Sequence, residues 1–252
     1  MNLSTLSLLK NATGIKMHTG KIMKPLMGLL VMMLFNSMMS YGQTTYTWAG
    51  GASASWAAAA SWSPSRTTPA ANDIMVFSSG TTVTPTAIPI QTIGQLLVSS
   101  STIVNLQSAT ALNTLTIAGG TGTDLSVASG CQLNISGTAS LIISLLTGAT
   151  GSISGNMTFS STTASQANQL LAADASGVTF NSGATFIQST NSTGTVFGNS
   201  GTANTIVFTS GSAFMQGAGS APFGLTQPAS KVVFQTGSLF KMLVSQAPSF
   251  SG

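Results

Sequence analysis

Glutamate is absent from this 252-residue chain, and the only histidine, His18, lies within the first 24 residues. Charged residues make up 4% of the chain, and cysteine occurs once. Each shortage removes a class of chemistry. Downstream of the leader there is no Ser-His-Asp triad, no Cys-His pair, no HExxH zinc site and no glutamate acid/base catalyst. The single cysteine, Cys131, excludes an intramolecular disulfide framework. Beyond residue 24 the charged side chains are Arg66, Lys231, Lys241, Asp73, Asp124 and Asp174, three of each sign. The sequence pI near 9.6 therefore belongs to the leader, and the basic footprint of a nucleic-acid binder is missing. The three aspartates stand about fifty residues apart at unlike offsets from their nearest glycines, so solvated loop positions are expected rather than a paired-carboxylate site. Gly119-Gly120-Thr121-Gly122 reads as a turn, since no strand-to-helix setting surrounds it. No metal or cofactor is expected.

What the chain has in abundance is a recurring Ser-Gly or Thr-Gly step between apolar β-formers. The clearest copies run Val178 to Gln188 (VTFNSGATFIQ), Ile206 to Gln216 (IVFTSGSAFMQ) and Val232 to Met242 (VVFQTGSLFKM), with an earlier one from Leu125 to Ile135. Gly130, Gly155, Gly183, Gly211 and Gly237 are separated by 25, 28, 28 and 26 residues. Three residues before the reference position stand Phe77, Val98, Val127, Phe180, Phe208 and Phe234. Three residues after it stand Val83, Val104, Leu133, Phe186, Phe214 and Phe240. The Gly155 copy breaks both columns. Alternation such as Val178-x-Phe180 is the period of a half-buried strand, and glycine after Ser or Thr permits a sharp bend. A fixed period of this size means stacked units, each too small to bury a core alone.

The expected fold is therefore all-β, a right-handed parallel β-helix of about six coils of 21–29 residues with a Trp-rich N-terminal cap. Right-handedness follows the general preference for parallel crossovers. The alternative is a β-sandwich, which also has short strands and regular turns but gives no reason for one residue type at one offset from each glycine. The run from Gln166 to Ala175 (QANQLLAADA) is predicted as a turn or two of helix between coils. Cys131 falls in a small-residue slot at the bend, where other copies have Asn156, Ala184, Ser212 and Ser238.

The domain reading has three parts. Residues 1–42 form a signal peptide: Lys21 and Lys24 precede the apolar run Leu26 to Met39, and Ser40-Tyr41-Gly42 fits small-residue cleavage before Gln43. That run is about 14 residues, short of the roughly 20 needed to span a bilayer, so no stable membrane span is expected after cleavage. The long stretch ahead of it makes Met23 the better start. Residues 43–72 are the cap segment, containing Trp48, Trp56 and Trp62, and residues 73–252 are the β-helix repeats. The tryptophans have two readings, stacking on glycan rings or closing the open end of the core; an end cap accounts better for their clustering ahead of the first coil. Arg66 and Asp73 are placed to form an ion pair across the intervening loop.

The run Trp48-Ala-Gly-Gly, then Trp56, Ser61-Trp62-Ser-Pro, Pro69 and Asp73-Ile-Met-Val-Phe77 resembles the opening of secreted, autotransporter-like and adhesin-like β-helix surface proteins of Bacteroidetes, many exported by the type IX route. Ser61-Trp62 stands where those proteins commonly have Asn-Trp. The resemblance implies surface display and a passenger-like scaffold, and it transfers no catalytic residues. It also implies further coils and a C-terminal β-sandwich sorting domain, so a truncated, N-terminal part of a longer protein is expected.

The functional expectation is a non-catalytic, secreted cell-surface protein that presents a rigid β-helical stalk. Its expected partners are surface glycans or host extracellular matrix, or a second copy through an open end. The alternative is a carbohydrate-active β-helix, polysaccharide-binding or lyase-like, whose active part lies beyond residue 252. An ice- or crystal-binding solenoid would need a Thr-x-Thr column, and Thr114-Leu-Thr116 and Thr121-Gly-Thr123 do not recur at the period.

Overall fold

The computed structural model describes residues 42–110, 112–163, 167–189, 191–218, 222–226 and 228–243. The leader through residue 41, with the signal-peptide reading and Met23, lies outside these residues, as do residues 244–252. From Gln43 onward the chain forms one compact unit.

Its strands assemble into three sheets that wrap a common core as the faces of a parallel β-solenoid. The first face contains the strands Thr45–Trp48, Ile74–Phe77, Gln95–Val98, Leu125–Val127, Gly151–Ile153, Val178–Phe180, Ile206–Phe208 and Val232–Phe234, all parallel. The short antiparallel strand Trp62–Ser63 closes its N-terminal edge. The second face runs in the same order from Ser53–Ser55 through Thr82–Thr86, Ile103–Leu106, Gln132–Ile135, Asn156–Phe159, Thr185–Gln188 and Ala213–Gln216 to Leu239–Met242. Among the described residues the third face has four strands, Gln91–Ile93, Leu112–Ile117, Ser140–Leu145 and Gln169–Ala172.

Register explains why the sequence repeats. One column on the first face consists of Tyr46, Met75, Leu96, Leu125, Gly151, Val178, Ile206 and Val232, so successive coils take 29, 21, 29, 26, 27, 28 and 26 residues. That is seven turns, about 34 Å of axis at about 4.8 Å per coil. The count exceeds the six expected because Thr45–Trp48 and Ser53–Ser55 already pair in parallel with the next coil. The segment read as a cap is itself a first coil. The neighbouring column is Phe77, Val98, Val127, Ile153, Phe180, Phe208 and Phe234, and its counterpart on the second face is Val83, Val104, Leu133, Met157, Phe186, Phe214 and Phe240. Both follow the offsets read from the sequence. Phe180 and Phe208 stack at 4.5 Å between centroids, and Phe208 and Phe234 at 5.2 Å.

The column break at Gly155 comes from the turn. Only two residues separate Ile153 from Asn156, whereas four separate Val127 from Gln132, the corresponding pair one coil earlier. Gly155 consequently stands opposite Cys131 and Ser154 opposite Ala128, and the bend residues Ser129 and Gly130 have no counterpart. A Cβ on Gly155 would collide with the carbonyl oxygens of Cys131 and Ala128, so glycine is needed there for close approach rather than for a bend. The core columns continue undisturbed through Ile153 and Met157. Cys131 is buried and its thiol is free, in the small-residue position expected.

The helix predicted between Gln166 and Ala175 is replaced, among the described residues, by the strand Gln169–Ala172 and a following turn. Gln169–Ala172 pairs in parallel with Ser140–Leu145, aligning Ile143 with Leu170 and Leu145 with Ala172. Leu170 and Ala172 point into the core, and pairing with the waiting strand edge overrides the favourable helical propensity of Gln, Leu and Ala. Among the described residues there is no α-helix, and none is long and apolar enough to cross a membrane.

The stacked column makes a specific prediction. Phe208→Ala removes a fully buried ring that touches the coils on both sides and should cost about 3–5 kcal/mol. Ser129→Ala, on an exposed bend, should stay within about 0.5 kcal/mol. Chemical denaturation of both variants checks this; equal stabilities would contradict the stacked-core account.

Candidate functional site

Three places in the coil concentrate polar or aromatic side chains. The first is the N-terminal end. Trp48, Trp56 and Trp62 are 7%, 1% and 3% exposed. Trp62 meets Trp48 and Trp56 edge-on, with centroids 5.1 and 4.9 Å away, and all three rings lie against Phe77. The indole N–H groups donate to the carbonyl of Gly51, to Gln91 Oε1 and to the carbonyl of Trp56. The rings thus fill the end of the core instead of offering open faces to solvent. This arrangement lets bulky aromatics bury large area while each N–H still finds an acceptor.

Beside the tryptophans, Arg66 Nε donates to Asp73 Oδ2 at 2.7 Å, the ion pair expected from the sequence, with both side chains only 2% exposed. The backbone N–H of Ala70 donates to the same carboxylate oxygen, Arg66 Nη1 reaches Gln91 Oε1, and the guanidinium lies 5.7 Å from the Tyr46 ring centroid. Asp73 is therefore a buried structural carboxylate and not the solvated loop residue expected. The reason is its place immediately before Ile74–Phe77, where the chain turns inward.

The second place is the corner leading into the first face. Asp124 is also buried, again contrary to expectation. Its carboxylate accepts hydrogen bonds from Gln95 Nε2 and the backbone N–H of Thr150, linking three consecutive coils. Gln95 Nε2 additionally donates to the carbonyls of Thr121 and Thr123. Asp174 is partly exposed and accepts the backbone N–H of Gly148. Each aspartate thus serves a separate turn, and the three do not converge. Among the described residues no group of three or more His, Cys, Asp and Glu gathers as metal ligands.

The third place was not legible in the sequence. Among the described residues the third face ends at Gln169–Ala172, and the described parts of coils six and seven on that side are loops. Gln188 holds the first loop from inside: its Nε2 donates to the carbonyls of Ser192 and Gly194. In earlier coils the same inward column holds Leu106, Ile135 and Phe159. Val196 and Phe197 fill the core where a strand would have lain. The change leaves an open groove of about 530 Å³ whose lining includes Leu171, Asn199, Ser200, Thr202 and Lys231. Lys231 is 5% exposed, and its Nζ donates to the carbonyl of Thr202 at 2.7 Å. Burial pushes the ammonium pKa down from its ordinary value. The only signal in the sequence was one lysine beside the repeat, which spacing alone could not assign to a groove.

The buried ion pair generates a test. Asp73→Ala strands the guanidinium of Arg66 and should cost about 3–5 kcal/mol, while the double change Arg66→Met, Asp73→Leu should recover much of that loss. Thermal and denaturant unfolding of the single and double variants measure it. A single variant as stable as the unaltered protein would contradict a structural role.

Comparison with protein-family models, curated proteins and solved structures finds no match. The geometry itself establishes the chain as a parallel β-solenoid protein.

Proposed function

We propose that this chain is a non-catalytic, secreted scaffold of the outer cell surface, adhesin-like in the manner of the type IX-exported β-helix proteins that its opening resembles. The observation that carries this reading is continuous parallel pairing on two faces, from Thr45–Trp48 to Val232–Phe234 and from Ser53–Ser55 to Leu239–Met242. A ladder of that kind offers length and stiffness, because each coil is held by backbone hydrogen bonds and shared core on both sides. Two further features support it. The compact unit begins at Gln43, the residue after the small-residue cleavage step. The outward positions of the coils are dominated by Ser, Thr, Asn and Gln, a surface that is polar with little charge.

In this role the coil faces and loops meet surface glycans or extracellular matrix, and core-bearing coil ends provide a route to self-association. Stacking of sugars on Trp48, Trp56 or Trp62 has little support, given their burial.

The reading is tested on cells producing the protein. N-terminal sequencing of the mature form should begin at Gln43, and an antibody against the purified protein should label intact cells. Removal of the label by protease added outside the cells would complete the expected result. An uncleaved N-terminus together with label only after permeabilisation would overturn it.

A further inference from the structure

The geometry points to a binding site for a carboxylate-bearing saccharide in the groove beside Lys231. The argument begins with a charge that has no counterpart. Among the described residues the only ion pair is Arg66–Asp73, so the Lys231 ammonium sits in the coil wall without a carboxylate. It carries three donors, and among the described residues the acceptor on it is the carbonyl of Thr202. The residue as a whole is 5% exposed, and its partly buried ammonium rests on a single neutral oxygen, so its loss of hydration is incompletely compensated. The lowered pKa is the same cost seen through protonation.

The side chain is also held in place. A Cβ on Gly224 would stand 2.9 Å from Lys231 Cγ, and one on Gly201 would stand 3.7 Å from Nζ. Two glycine-containing loops therefore pack along the lysine stem and leave little freedom to swing into solvent. Such a lysine is pre-positioned for an anion that enters the groove, since little rotamer entropy is left to lose on binding.

The rest of the lining decides the class of ligand. Gln169, Asn199, Ser200 and Thr202 bring amide and hydroxyl groups suited to sugar hydroxyls, while half-buried Leu171 and exposed Leu146 add apolar surface suited to sugar C–H groups. An extended peptide is the competing occupant, since Gln169–Ala172 is a sheet edge. However, the leading half of that edge is occupied: Leu170 N–H donates to the Val196 carbonyl and Gln169 Nε2 to the Thr195 carbonyl. Too little free edge remains for strand addition. The nearest carboxylate in the wall sequence, Asp174, is engaged by the backbone N–H of Gly148. The site is independent of surface display, so its failure would leave the scaffold reading intact.

Calorimetric titration of the purified protein with tetragalacturonate, and with its fully methyl-esterified form, tests the assignment. The free acid should bind, and the ester, which keeps the shape but loses the charge, should bind at least about tenfold more weakly. Lys231→Met should impose a similar loss, while Lys241→Met on the exposed second face should not. Ser200→Tyr, an exposed-loop change that fills the groove without touching the lysine, should abolish binding and decides the matter if Lys231→Met fails to fold. Absence of binding at about 10 mM free acid would overturn the proposal. So would equal binding of acid and ester, indifference to Ser200→Tyr, or tighter binding of hexaglutamate than of the saccharide.

Discussion

Parallel pairing in strict register is the constraint on which everything else in this molecule depends. When each strand lies directly on the equivalent strand of the previous coil, every inward side chain stacks on the residue at the same position one turn earlier. Tyr46, Met75, Leu96 and Leu125 therefore share one environment, as do Phe180, Phe208 and Phe234. A single coil of these residues would expose half of each ring. The stack buries the column, and only the end coils need separate treatment, which Trp48, Trp56 and Trp62 supply at one end.

The turns must satisfy their backbone without strands, and buried polar side chains do this work. Gln95 and Asp124 tie the loop before the first face, Gln188 ties the loop that replaces the third, and Asn168 accepts the N–H of Leu141 while donating to the carbonyl of Ser160. A buried amide or carboxylate with its partners in place fixes loop geometry, whereas the same group unpaired would destabilise the coil. The charges of this chain follow the same logic. Asp73 and Arg66 neutralise each other inside the wall, and Asp124 is held by N–H donors. Lys231 departs from the pattern, its cation resting on one carbonyl beside an open groove.

Much of the fold was legible because identical environments demand similar residues. The offsets of Phe77, Val98, Val127, Phe180, Phe208 and Phe234 from their bends gave one column directly, and the ion pair of Arg66 and Asp73 followed from a loop of the right length. What escaped reading was set by neighbours instead of by local pattern. Gln169–Ala172 has the composition of a short helix but finds a strand edge at Ser140–Leu145. Gly155 looks like a shifted reference glycine, yet it belongs to a shortened turn pressed on the carbonyls of Ala128 and Cys131. Asp73 and Asp124 look like loop residues because sequence cannot tell a corner that faces outward from one that folds in. The groove was invisible for a related reason: it exists where a strand fails to form, and absence of a strand in one coil leaves no motif.

Hydrogen exchange resolved along the chain tests the central claim, a continuous and rigid ladder, most directly. The account predicts that amides of the first- and second-face strands are protected as one block from Thr45–Trp48 to Ala213–Gln216, while the exposed loop amides near Asn199 and Ser200 exchange quickly. Strands from Val178–Phe180 onward exchanging like unstructured chain, with protection confined to the first coils, would contradict it.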